Sequence, residues 1–211
     1  MKTDELVDAL ARDAGVVPRG MVERRIALAA AAGLAASLVL MALLFGVRAD
    51  FGAAVVAVLL KVVFGIAAAA GAAPLLLELA RPNTRARHVA VPLILLSIVS
   101  IGIALVAFLV TPADARMMSW LGGSVPECLY RIPVLAAPIA AALVLAVRGL
   151  GATRLRLAGA AIGAMSGSLA AIPYAGCCPM DSVLYVVSWY PVAILFCAGV
   201  GALFIGRALR W

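Results

Sequence analysis

Charge is what this sequence has least of. Only 13% of its residues are Asp, Glu, Lys or Arg, while 66% are hydrophobic. A water-soluble domain needs far more polar surface than that, so a soluble globular fold is excluded. Other absences narrow the chemistry. No Cys-x-x-Cys pair occurs, which removes the usual signature of a dithiol oxidoreductase. No ladder of carboxylates runs through the apolar segments, so a proton path or a small transporter has little to work with. No cleavable signal peptide is evident, because the first apolar stretch is uninterrupted and of full spanning length. The polar and mixed residues 1–25 are therefore expected to be retained as a tail.

What is present is a series of apolar stretches, at about 26–47, 53–79, 89–110, 128–147, 157–175 and 183–206. Each is long enough to cross hydrocarbon as a helix, which satisfies its own backbone there. The connections are short, so neighbouring helices alternate in direction. The expected fold is all-α: an integral membrane bundle of six helices over 26–206, a tail over 1–25 and a short carboxyl end over 207–211.

Orientation follows from the basic residues. Lys2, Arg12, Arg19, Arg24, Arg25, Arg81, Arg85, Arg87, Arg148, Arg154, Arg156, Arg207 and Arg210 all fall on one side, whereas Arg48 and Arg116 fall on the other. The positive-inside bias places the rich side, and with it both termini, in the cytoplasm. The net charge of +7 does not indicate nucleic acid, because these residues sit between apolar segments rather than in a patch. Gly159, Gly163 and Gly167 recur every four residues along the fifth span, a smooth ridge for close helix packing. Pro74, Pro92, Pro133, Pro138 and Pro191 lie within spans and are expected to bend them.

Three features carry chemistry. In the tail, Leu6, Val7 and Leu10 lie on the apolar face of a short helix that begins near Thr3 and ends by Gly15 and Pro18. Such a helix is not stable alone and needs either a partner groove or the inner leaflet. Cys128, Cys177 and Cys178 all fall on the side opposite the termini, whereas Cys197 is mid-span and reads as a small buried residue. A permanent disulfide, a thiol–disulfide switch and capture of a soft metal by Cys128, Cys177 and Cys178 each fit three thiols on one face. Lys61 and Arg131 place charge at membrane depth and call for partners, with Glu127, Asp181 and Asp50 as the nearby carboxylates.

Scattered motifs carry a family resemblance. They are Met1-Lys2-Thr3-Asp4-Glu5-Leu6 with Ala9-Leu10-Ala11, Lys61 in the second span, and Cys128 heading the fourth. Arg154-Leu155-Arg156-Leu157-Ala158-Gly159-Ala160, Cys178-Pro179, Trp189-Tyr190 and Leu209-Arg210-Trp211 complete the set. Together they resemble the NrsF family of six-span bacterial proteins, negative regulators of extracytoplasmic-function sigma factors. The resemblance implies a non-enzymatic anti-sigma factor in the bacterial inner membrane, with a sigma factor and membrane lipid as partners. It implies that the cytoplasmic amino-terminal part helps hold the sigma factor. It also implies that two periplasmic cysteines, matching Cys128 and Cys178, respond to oxidants or heavy metals. No resident cofactor is expected, only a transient soft metal ion as signal. The chain departs from the family at Cys177, where His is usual, and at Met180, where Glu is common. A membrane thiol–disulfide oxidoreductase is the principal alternative, and a small transporter the weaker one.

Overall fold

A computed structural model of the chain describes residues 20–81, 91–122 and 127–209. Among the described residues all regular secondary structure is helical, and six helices are long and apolar enough to cross a membrane. The chain runs α1 (Met21–Leu44), α2 (Val55–Leu79), α3 (Val91–Val110), α4 (Ala113–Leu121), α5 (Cys128–Val147), α6 (Leu155–Ala175) and α7 (Val183–Val200). The last continues through a π-helical turn, Gly201–Ile205, into Gly206–Ala208. All but α4 coincide with the apolar stretches of the sequence. The expected tail helix with Leu6, Val7 and Leu10 lies outside the described residues.

Two departures have simple causes. The nine-residue helix α4 was not expected, because it is too short and too mixed in polarity to register as a span. Pro92 sits at the second position of α3 rather than inside it, where a missing N–H breaks no intrahelical bond. Pro74, Pro133, Pro138 and Pro191 do lie inside helices, as does Pro173.

The bundle has two ends, each tied by polar contacts. At one end Arg25 donates to the carbonyls of Leu145 and Arg148, and Arg148 donates to Ala208. Arg81 pairs there with Glu23. This end gathers the start of α1 and the ends of α2, α5 and α7, so the described chain begins and finishes on the same side. Cys128, Cys177 and Cys178 lie at the other end. Around the bundle's girth, Leu43, Val56, Ile101, Val110 and Leu195 are exposed, a surface suited to hydrocarbon and unsuited to water.

Helix α6 is the hub and packs against α1, α2, α5 and α7. It is also the most buried of the six spans. In hydrocarbon, lipid tails compete with apolar side chains, so association depends on close backbone approach and on polar contacts. The glycine ridge supplies the first. A Cβ on Gly159 would strike the Gly201 backbone, and one on Gly163 would strike the carbonyl of Cys197. Gly167 lies over the Cys197 side chain, so all three glycines face α7. Polar contacts supply the second: buried Ser37 on α1 donates to the Leu135 carbonyl on α5 at 2.8 Å. By contrast α3 buries only Ser100 and leans on α2 and α7 from outside.

Gly163→Ala should therefore force α6 and α7 apart and destabilise the protein by about 1–3 kcal/mol, as overpacking does. Gly102→Ala, at a glycine with open space around it, should change stability by less than about 0.5 kcal/mol. Thermal unfolding of the detergent-solubilised variants checks both.

Candidate functional site

The candidate site is built around the turn that joins α6 to α7. Helix α6 ends at Ala175, and the amides of Cys177 and Cys178 both donate to the Tyr174 carbonyl, at 3.1 and 3.0 Å. That tight turn folds both cysteines back under the helix end instead of leaving them on a loop. Cys178 and Cys128 are fully buried and Cys177 nearly so. All four cysteines are free thiols, so the structure holds no permanent disulfide among the described residues.

Each thiol has a distinct setting. Cys128, the first residue of α5, accepts a hydrogen bond from the Tyr185 hydroxyl at 3.5 Å. Cys178 points its sulfur at the Met180 carbonyl, 3.7 Å away. It is close enough to Cys128 and to Tyr190 to interact electrostatically with both. Cys177 donates to the Tyr174 carbonyl at 3.4 Å. Burial pushes the Cys177 thiol up to about 11, although the nearby Arg131 charge opposes the shift. Cys197 is buried mid-helix against Gly167, away from this group, as its sequence position indicated. Among the described residues no three His, Cys, Asp or Glu side chains gather as a metal site, so Cys128, Cys177 and Cys178 do not form a ready-made cage.

Tyrosines line the thiol site, and sequence reasoning had not singled them out as a group. Tyr174, Tyr185 and Tyr190 are all buried. The rings of Tyr174 and Tyr190 lie 5.6 Å apart, and Phe64 meets Tyr190 edge-on at 6.0 Å. The Tyr190 hydroxyl is buried and has no hydrogen-bond partner among the described residues. A cleft lined by Gly122, Glu127, Tyr174, Pro179, Met180 and Tyr185 opens beside this cluster. Its rim is fixed by α4, which ends at Gly122 in the left-handed region (φ +67°), a conformation glycine adopts freely. Trp120 of α4 stacks on Trp189 of α7, with centroids 5.6 Å apart, and accepts a 2.8 Å bond from its indole at the backbone carbonyl. Two adjacent tryptophans at a helix-bundle end suit the membrane–water interface.

The intramembrane charges find their counter-ions here, and each candidate carboxylate is used. Lys61, in α2 and 2% exposed, donates to Asp181 at 2.7 Å and to the Cys178 carbonyl at 3.1 Å. Arg48, in the turn after α1, reaches the same two acceptors at 2.8 and 3.0 Å and also pairs with Asp50 at 2.8 Å. Its backbone amide donates to the Gly176 carbonyl. Arg131 stands apart: it pairs with Glu127 at 2.7 Å and lies over the Phe45 ring. Arg48 had been read only as an outer-side basic residue, because a single arginine between two spans gives no sign that it folds inward.

The electrostatics follow from the pairing. Hydrogen bonds from Arg48, then Lys61, hold the Asp181 carboxyl down at about 2, against the opposing effect of burial. The same contacts raise the Arg48 guanidinium, and Arg48 lowers Asp50. A depressed carboxyl stabilises the fold above its ordinary 3.8, and that contribution is lost as pH falls toward about 2.

A bundle of six helices of spanning length, with free thiols at one end and basic side chains at the other, is that of an integral membrane protein. Comparison with known proteins supplies the family. The family model for NrsF, negative regulator of sigma F, matches residues 10–211, and the chain belongs to this family. It is 33% identical over 216 residues to the probable anti-sigma-F factor NrsF of Azospira oryzae, covering the whole of both chains. It is also 33% identical over 219 residues, again end to end, to the anti-sigma-F factor NrsF of Caulobacter vibrioides. No solved structure matches.

Asp181→Asn should lower thermal stability near neutral pH. The gap from the unsubstituted protein should narrow below about pH 4 and close as Asp181 itself becomes protonated near pH 2. Unfolding temperatures measured in detergent across that range check the trend.

Proposed function

We propose that this chain is an anti-sigma factor of the bacterial inner membrane. It holds an extracytoplasmic-function sigma factor at the cytoplasmic face and releases it when thiols on the periplasmic side react. The observation that carries the reading is membership of the family over nearly the full chain, with Cys128 and Cys178 reduced and near one another at the end away from the termini. Orientation rests on the basic side chains: Arg24, Arg25, Arg81, Arg148, Arg154, Arg156 and Arg207 share the end where α1 begins and the described residues finish.

The site suits a sensor better than a catalyst. A dithiol oxidoreductase keeps an accessible, acidic cysteine for attack on substrate disulfides. Here Cys128 and Cys178 are fully buried, and Cys177 is shifted the wrong way for a nucleophile. A small two-electron oxidant that enters beside Tyr185 takes two electrons from Cys128 and Cys178. Their two thiol protons leave as the S–S bond forms. A soft metal ion acts on the same pair by displacing those protons and bridging the thiolates. Either event ties α5 to the α6–α7 turn by a new bond, where the reduced state has only non-covalent contacts. On the cytoplasmic side, Leu6, Val7 and Leu10 present the apolar face that the sigma factor covers.

Two outcomes test this with a reporter driven by the sigma-dependent promoter. Cys178→Ser should keep resting repression and lose induction by oxidant or soft metal; induction equal to that of the unsubstituted protein contradicts the reading. The double substitution Leu6→Asp and Leu10→Asp should instead raise expression without stress, with the protein still present in the membrane.

A further inference from the structure

The Cys178 backbone is held by side chains from distant parts of the chain. Its carbonyl oxygen accepts from Lys61 Nζ at 3.1 Å and from Arg48 Nη1 at 3.0 Å. Three residues on, Asp181 accepts from the same two cations, at 2.7 and 2.8 Å. With Asp50 completing the group, two cations and two carboxylates form a neutral cluster on the turn that carries the thiol. Arg48 and Asp50 belong to the turn between α1 and α2, but Lys61 belongs to the body of a spanning helix.

We propose that Lys61 and Asp181 are positioning residues that convert a change at the Cys178 thiol into movement of α2. The proposal rests on the thiol-sensing reading above and adds to it the route by which the signal leaves the site. When Cys178 is drawn toward Cys128, its carbonyl and Asp181 move with the turn. The Lys61 side chain is 2% exposed, so its ammonium relies on Asp181 and the Cys178 carbonyl rather than on solvent. Leaving it behind strands a buried charge, whereas carrying it along keeps both hydrogen bonds.

Helix α2 is built to follow. Its contact with α6 is smooth: Gly65 lies against Ser168 and Ile172, and Ala69 and Ala72 are buried nearby. A face of small residues permits the short sliding shifts by which packed helices rearrange. Its 25 residues span about 37 Å at the usual helical rise, nearly the full depth of the bundle. At the far end Arg81 pairs with Glu23 of α1, so a shift in α2 arrives at the start of the first span, immediately after the tail.

The test uses the full chain in cells, with diamide as the stress and three readouts: repression at rest, induction, and the number of thiols that alkylate after denaturation. Lys61→Met should accumulate in the membrane, because Asp181 keeps Arg48. It should repress normally and lose alkylatable thiols under stress as the unsubstituted protein does, yet induce at least tenfold less. Lys61→Arg, which restores a cation, should recover most of the induction. Full induction in Lys61→Met overturns the proposal, as does derepression at rest, failure of the thiols to react, or failure of Lys61→Arg to rescue. The double substitution Lys61→Met with Asp181→Asn, which removes both charges and leaves Arg48 paired with Asp50, carries the same expectations and decides the matter if Lys61→Met alone does not accumulate. Normal induction in Cys178→Ser, by contrast, removes the thiol reading itself.

Discussion

A lysine ammonium is intolerable in hydrocarbon without a counter-ion, and Lys61 meets its own in Asp181, on the turn between the last two spans. That pairing fixes which parts of the chain must be neighbours. It draws α2 to the α6–α7 turn and brings Arg48 in beside it, and through the Cys178 carbonyl it sets where one of the thiols sits. Asp181 keeps 37% of its side chain open to solvent, so the cluster lies at the wet edge of the membrane rather than in its dry middle. Solvent at that edge lessens the desolvation penalty that makes fully buried ion pairs such poor stabilisers.

The rest of the bundle divides its labour. Helix α6 holds the middle by backbone-close packing of Gly159, Gly163 and Gly167 on α7. Helix α3, almost unburied, contributes little to the hub and leaves most of its apolar surface exposed. Between these extremes, α2 and α5 pack on α6 from two sides, and each leads to one thiol of the pair: α5 begins with Cys128, and α2 grips Cys178. A bond between the thiols therefore acts between elements that the reduced fold keeps distinct. Such a switch must favour one state over the other by several kcal/mol to be decisive, which lies within the range of a disulfide or a thiolate–metal bond.

The six spans were legible in the sequence because apolar length and the backbone's need for internal hydrogen bonds leave no other structure in lipid. The glycine ridge was legible for the same reason: four-residue spacing puts Gly159, Gly163 and Gly167 on one face whatever the partner. The intramembrane charges were half legible. Lys61 and Arg131 stood out, but three carboxylates share their side of the membrane, and only the folded turn assigns Asp181 to one and Glu127 to the other. The tyrosine cluster was not legible, since Tyr174, Tyr185 and Tyr190 come from two helices and no spacing rule links them. Helix α4 escaped because nine residues with mixed polarity carry too weak a period. The cysteines were located correctly on one side, yet sequence cannot show that adjacent Cys177 and Cys178 differ in surroundings, one near Arg131 and the other among the tyrosines.

In the proposed reading the two ends of the bundle are mechanically joined, with thiols at one and a sigma factor held at the other. The most direct measurement is affinity capture of the full chain from gently solubilised membranes of resting and stressed cells, followed by identification of the bound proteins. The account predicts that a sigma factor co-purifies from resting cells and is lost after exposure to oxidant or soft metal. A sigma factor absent from both samples, or retained equally in both, would contradict it.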